Sequence, residues 1–150
     1  MKSLYDVGIV FRGFIIVNHV FRELPIGNDS ESKRDLRGAF ISAISSFAES
    51  AFINNHLEYL ESGNYLFIFK MSEVKSSDSN LSETIILYGL TEKKKKNPDK
   101  KVKKFLGKAE IILESFIQRY KGKDFTYLDQ FEDFQGDLKE YFIKKQEPVI

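Results

Sequence analysis

The residues with the clearest chemical potential are eight lysines that fall within twelve residues of this 150-residue chain. Ammonium groups at this density attract anionic membranes, nucleic acid phosphates and acidic protein surfaces. No aromatic residue is interleaved with them, so a surface that stacks nucleic acid bases is not indicated. A flexible, solubilising loop is the simpler interpretation and stays open beside these. The candidate anion- or partner-binding residues are Lys93, Lys94, Lys95, Lys96, Lys100, Lys101, Lys103 and Lys104.

Charge is segregated along the chain although the net charge is only +1. Residues 93–123 carry 12 basic and 3 acidic side chains, whereas residues 1–92 carry 8 and 12, and residues 124–150 carry 3 and 7. The overall balance therefore implies no particular partner, and only the middle block indicates one.

Residue patterns for catalysis are not found in the sequence. The chain has no cysteine, which excludes disulfides, thiolate zinc sites and a cysteine nucleophile. His19 and His56 have no metal-ligand spacing, and GxxxxGK[ST], GxGxxG and GxSxG are absent. Carboxylate pairs such as Glu58 and Glu61 are interpreted as solvated faces. We therefore expect no enzyme activity, no cofactor and no metal site.

The apolar stretch from Tyr5 to Phe21 organises the elements that must position any site. We predict a β-hairpin with its turn at Arg12-Gly13, because glycine tolerates the positive φ of a tight turn. The alternative is a single strand bent at the glycine. Apolar residues are nearly continuous on both sides of the turn, which predicts a sheet covered at least in part on both faces.

Three amphipathic helices are predicted. The first begins at Asp35, with an apolar stripe that includes Phe40 and Phe47. The second runs for about twenty residues from Lys101 to Tyr120 and ends before Gly122. The last contains Phe131, Phe134, Leu138 and Tyr141 or Phe142, with Asp129 or Thr126 as its N-cap.

The remaining strands form a second hairpin and a fifth strand. The segments HLEYLE and YLFIFKM flank a turn at Ser62-Gly63-Asn64, and TIILYGL follows as a strand closed by Gly89. We interpret residues 1–150 as one domain with a lysine-rich loop over 92–101 and a frayed tail over 144–150. The predicted fold is α/β (α+β), a five-stranded antiparallel sheet flanked by three helices in the order β-β-α-β-β-β-α-α.

This element order resembles the longin domain of the longin/roadblock superfamily. The resemblance covers about residues 3–143 and is carried by GIVFRGFIIVNHVF, LRGAFISAISSFAESAF and ESGNYLFIFKM. The ending FEDFQGDLKEYF is similar to the last helix in the longin-like N-terminal domain of the signal-recognition-particle receptor alpha subunit, and to archaeal longin-like proteins. Roadblock domains usually open with a helix, whereas this chain starts on a strand.

The resemblance implies a non-catalytic interaction scaffold of trafficking-type regulation. The expected partners are a small Ras-like GTPase, another longin or roadblock protein, or a second copy of the chain. The alternative is a peripheral module that binds anionic membrane or nucleic acid through the lysine-rich segment, although no specific nucleic acid is expected. The N-terminus has no long apolar run, so we expect a cytoplasmic protein, either free in the cytoplasm or peripherally bound to a membrane.

Overall fold

A computed structural model describes residues 4–22, 59–93 and 98–144 of the chain. Its strands and helices are β1 (Leu4–Phe11), β2 (Phe14–Val20), β3 (Tyr59–Ser62), β4 (Tyr65–Val74), β5 (Glu83–Glu92), α1 (Asp99–Tyr120), a 3₁₀ helix (Leu128–Phe131) and α2 (Glu132–Lys144).

The five strands form one sheet in the order β2-β1-β5-β4-β3, and every neighbouring pair is antiparallel. The predicted α+β fold with a five-stranded antiparallel sheet is therefore confirmed. Two α-helices follow the sheet in the described residues, where three helices were predicted for the chain. The helix predicted to begin at Asp35 lies outside the described residues.

The first hairpin turns at the predicted residues. Arg12 has φ 54° and Gly13 has φ 81°, and positive φ at both central positions is the geometry whose twist suits a two-residue hairpin. Phe11 and Phe14 then face each other across the turn. The alternative of one strand bent at the glycine is wrong.

Apolar side chains are buried on both faces of the sheet, as the unbroken apolar run of β1 predicted; all eight residues of β1 are buried. One face carries the helix-side core, in which α1 packs against β4 and β5 while α2 packs against β2. The other face carries a second-face core made only of strand residues among the described ones, namely Tyr5, Val10, Phe67, Phe69, Ile86, Tyr88 and Leu90.

The fifth strand is longer than predicted, and Gly89 lies inside it rather than at its end. A Cβ atom at this position would overlap the ring of Phe105, which α1 places directly on the sheet. The sequence predicts a strand end at Gly89 because local sequence does not distinguish a glycine that ends a strand from a glycine that leaves room for a side chain of a packed helix.

The start of the last helix also differs from the prediction. Neither Asp129 nor Thr126 caps α2: Asp129 lies within the 3₁₀ helix, and Thr126 donates hydrogen bonds to Asp124. The 3₁₀ turn continues directly into α2, and the Glu132 N–H donates to the Asp129 carbonyl. Backbone pairing thus replaces the side-chain cap that we predicted.

Candidate functional site

The predicted lysine-rich segment is divided between a strand end and the first turns of α1. Lys94, Lys95 and Lys96 lie outside the described residues. The ammonium nitrogen of Lys93 is 2.7 Å from Glu61 Oε2, and that of Lys101 donates to the Glu92 carbonyl at 2.9 Å.

Lys100, Lys103 and Lys104 are exposed on α1, which begins at Asp99 directly after Pro98. The helix thus brings these three side chains onto neighbouring turns of its N-terminal end. The binding role that we predicted for the whole segment stays a prediction.

A second charged site, which sequence reasoning missed, lies at the opposite end of the sheet. We call it the Arg12 clamp and define it as Arg12, Ser76, Asp78 and Glu83. The Arg12 guanidinium makes two bonds to the Glu83 carboxylate, at 2.7 and 2.6 Å, and one to Asp78 Oδ2 at 2.7 Å. Such bidentate, charge-assisted hydrogen bonds are stronger than neutral ones and also fix the orientation of the guanidinium relative to the carboxylate.

The clamp joins three segments of the chain. Arg12 lies in the β1–β2 turn, Asp78 in the β4–β5 loop, and the other oxygen of Asp78 accepts a hydrogen bond from the Phe125 N–H at 3.1 Å. Phe125 follows α1 and packs on Phe11 with ring centroids 4.8 Å apart. The loops at this end are therefore held in one arrangement.

The electrostatics of the clamp follow from these bonds. Hydrogen bonds from Arg12, and then from Ser76, lower the pKa of Asp78 to about 2. The Arg12 bond likewise lowers the pKa of Glu83, while both carboxylates raise the pKa of the guanidinium. All three groups stay charged across the ordinary pH range, which is behaviour typical of a structural ion-pair cluster rather than an acid–base pair.

A shallow groove of about 530 Å³ adjoins the clamp. It is lined by polar residues of the β4–β5 loop, among them Lys75, Ser77 and Asn80, and by Lys121 and Gly122 after α1. These residues were not among the predicted site residues, because the groove forms only when the two loops meet. The run of serines between β4 and β5 was the available signal.

A buried polar cluster lies on the second face of the sheet. Asp6 is buried in β1 and accepts hydrogen bonds from the Tyr88 hydroxyl at 3.1 Å and the Asn18 amide at 3.3 Å. A Cβ on Gly8 would lie 2.7 Å from the Tyr88 hydroxyl oxygen, so the glycine makes room for this contact. The arrangement satisfies the hydrogen-bonding needs of a buried carboxylate.

Tyr5, the residue before Asp6 in β1, has a raised pKa. The Tyr5 hydroxyl donates to Glu92 Oε1 at 2.6 Å, and the Arg22 guanidinium lies 4.3 Å from the centre of its ring. Burial, and then the bond to Glu92, raise the pKa of Tyr5 to about 12.

The outer strand β2 and its turn expose apolar surface. β2 pairs only with β1 among the described strands, and it contains no proline and no charged residue. Phe14 at its start is 71% exposed. An edge strand of this kind is a template for pairing with another chain.

Within residues 4–22, 59–93 and 98–144, no group of three or more His, Asp or Glu side chains is placed to hold a metal ion. In the same part of the chain, neither helix combines the length and the apolar character that a membrane crossing requires.

Comparison with known proteins gives no relative. No family model matches the chain, and neither a curated protein nor a solved structure matches it.

Proposed function

We propose that this chain is a longin-like, non-catalytic scaffold that binds a small Ras-like GTPase or another longin or roadblock protein. The described elements support the proposal: two strands, then three strands, then two helices, all in one antiparallel sheet. This is the order that the resemblance implies on either side of the helix predicted from Asp35.

The observation that carries the proposal is the free side of β2 among the described strands. In the seven-residue strand FIIVNHV, the alternate residues that do not hydrogen-bond to β1 direct their backbone N–H and C=O groups outward from the sheet edge, without a charge or a proline to block a partner. Main-chain hydrogen bonds from an added strand give affinity, and the neighbouring side chains give specificity. Phe14 supplies an exposed aromatic contact beside that edge.

The first experiment is light scattering after size exclusion, at low and high salt. A mass near 17.4 kDa leaves the edge available for a different protein, and a salt-resistant dimer means that the chain pairs with itself. The second experiment is capture of purified Ras-like GTPases, each loaded with GTP or with GDP. Nucleotide-dependent, salt-tolerant capture supports the scaffold proposal.

Two exposed apolar residues provide a matched pair of variants. Phe14→Lys places a charge beside the β2 edge, whereas Ile111→Lys places one on α1, where Ile111 is 64% exposed. We expect F14K to weaken the affinity for the partner at least about tenfold, because burying an unpaired charge costs more than about 1.4 kcal/mol. We expect I111K to leave the affinity unchanged. Equal effects of both variants, or no GTPase and no longin partner captured, would refute the proposal.

A second candidate function rests on the exposed Lys100, Lys103 and Lys104. Three ammonium groups on neighbouring turns of α1 favour peripheral contact with an anionic membrane, at about 1 kcal/mol each near the surface. Vesicle binding that falls with salt and is lost in K100S/K103S/K104S would support this candidate, and vesicle binding that the triple variant retains would exclude it.

A further inference from the structure

The groove beside the Arg12 clamp is lined by polar residues. Two ammonium groups come from Lys75 and Lys121, a hydroxyl from Ser77 and an amide from Asn80. The hydroxyls of Ser76 and Ser79 already donate to Asp78 and to the Leu81 carbonyl. Gly122 completes the wall, and no carboxylate belongs to the lining. Its volume of about 530 Å³ accommodates a group the size of a phosphate or a pyrophosphate.

Backbone hydrogen bonds hold the two lysines side by side. The Gly122 N–H donates to the Lys75 carbonyl at 2.8 Å, and the Ser77 N–H donates to the Lys123 carbonyl at 2.9 Å. These two bonds pair the β4–β5 loop with the segment after α1. Residues far apart in sequence thus form one wall that exists only in the folded protein.

The two carboxylates of the clamp are bonded to Arg12 and not to these lysines. Asp78 and Glu83 are both bonded to Arg12, and Asp78 also accepts from the Phe125 N–H. Within the described part of the chain, neither Lys75 nor Lys121 takes part in an ion pair, and both are exposed. The clamp itself carries a net charge of −1, because Arg12 balances only one of its two carboxylates, and the exposed Lys75 and Lys121 bring the groove and clamp together to +1.

We propose that this groove is a binding site for a phosphoryl anion. Lys75 and Lys121 contact the phosphate oxygens, and the Ser77 hydroxyl and the Asn80 amide donate to the oxygens that remain. A phosphate monoester at neutral pH carries about 1.5 to 2 negative charges and three terminal acceptor oxygens, which match two ammonium groups and several neutral donors. A carboxylate has one charge and two oxygens, and so uses the lining less fully.

The site is separate from the lysine-rich segment, and none of its lining residues belongs to β2. The groove follows the end of β4, whereas Lys93 follows Glu92 at the far end of β5. Ten residues of extended chain, roughly 33 Å, separate the two ends of β5. The inference thus goes beyond the scaffold proposal, and each stands or fails on its own experiment.

The test is a titration of the full chain with sodium pyrophosphate at low salt, followed by ¹H–¹⁵N correlation spectra. We expect saturable shifts of the backbone amides of Ser77, Asn80 and Gly122. The variant K75S/K121S should bind at least about tenfold more weakly, because it removes both charged donors. The control K70S/K139S removes two lysines, one from β4 and one from α2, that do not line the groove, and it should bind within about twofold of the wild type.

A vesicle arm identifies the source of the phosphoryl group. Co-sedimentation with vesicles of phosphatidylcholine containing a phosphoinositide, lost in K75S/K121S and retained in K70S/K139S, identifies a lipid headgroup. Pyrophosphate binding with that dependence but without co-sedimentation identifies a soluble phosphate compound. The proposal is overturned if pyrophosphate gives no saturable shift, or if K70S/K139S weakens binding as much as K75S/K121S does.

Discussion

Replacing Gly89 with alanine tests how α1 is seated on the sheet. The added methyl group would overlap Cε2 and Cζ of Phe105. That ring is fully buried and stacks on Phe142, with centroids 5.6 Å apart and planes 19° apart. Phe105 therefore moves away from the methyl group only by displacing α2 as well.

Two opposing terms give the size of the effect. Overpacking a close-packed core costs about 1–3 kcal/mol, whereas replacing a strand glycine by alanine gains roughly 0.5–1 kcal/mol from reduced freedom of the unfolded chain. The overlap term is the larger, so we expect a net loss of about 1–2 kcal/mol. In a chain of this length, that corresponds to a decrease in Tm of roughly 3–6 °C.

Gly107→Ala is the matched control for this prediction. Gly107 is exposed in the middle of α1, and an added Cβ meets nothing within 4 Å. Alanine is about 1 kcal/mol better than glycine in a helix interior, so this variant should raise Tm by roughly 3 °C. The same substitution thus has opposite signs at the two positions.

Urea unfolding followed by circular dichroism measures both free energies of unfolding. A third variant, Phe105→Leu, completes a double-mutant cycle with Gly89→Ala, and we expect G89A to cost less in the F105L background because the overlapping ring is absent. If G89A is as stable as the wild type, or if its cost is the same in both backgrounds, then the contact between Gly89 and Phe105 does not determine the packing of α1.

Two further predictions concern pH. The pKa of Asp78 is lowered to about 2 from 3.8, so its ionised form stabilises the fold above about pH 4, and this contribution is lost as the pH falls towards 2. Asp78→Asn should therefore lower the urea midpoint at pH 7 and make the midpoint depend less on pH between 4 and 2. An unchanged pH dependence in this variant would contradict the prediction. The pKa of Tyr5 is raised to about 12 from 10, so the urea midpoint should fall as the pH rises from about 10 to 12. Tyr5→Phe should remove the part of this fall that comes from the Tyr5 hydroxyl. A Tyr5→Phe profile of midpoint against pH that superimposes on that of the wild type would refute the prediction.

Regular local patterns in the sequence were sufficient for most of the sheet and for α1. The apolar run on both sides of Arg12-Gly13 predicted the first hairpin, and the helical spacing from Val102 to Tyr120 predicted α1 almost to its ends. Both patterns arise because a strand or helix repeats its buried face at a fixed spacing along the chain. Sequence alone is informative wherever a face is repeated in this way.

The ends of elements depended on contacts that local patterns do not contain. The sequence predicts that Gly89 ends β5, yet the strand continues to Glu92, and Gly89 leaves the space that the Phe105 ring occupies. The sequence predicts Asp129 as a side-chain cap of α2, yet it is the backbone carbonyl of Asp129 that accepts the hydrogen bond, from the Glu132 N–H. Glycine is common at strand ends and aspartate at helix N-termini, but tertiary contacts and backbone pairing give these two residues other roles here.

The charged site shows the same division between sequence and tertiary structure. The lysine-rich segment is conspicuous because its members are adjacent in sequence, and the sequence alone determined that this positive charge lies between two acidic parts of the chain. The Arg12 clamp and its groove join the first turn, the β4–β5 loop and the segment after α1, which are separated by tens of residues. Only tertiary structure decided that these groups meet, because the pairing of β1 with β5 and the return of α1 along the sheet bring their ends to one side of the molecule.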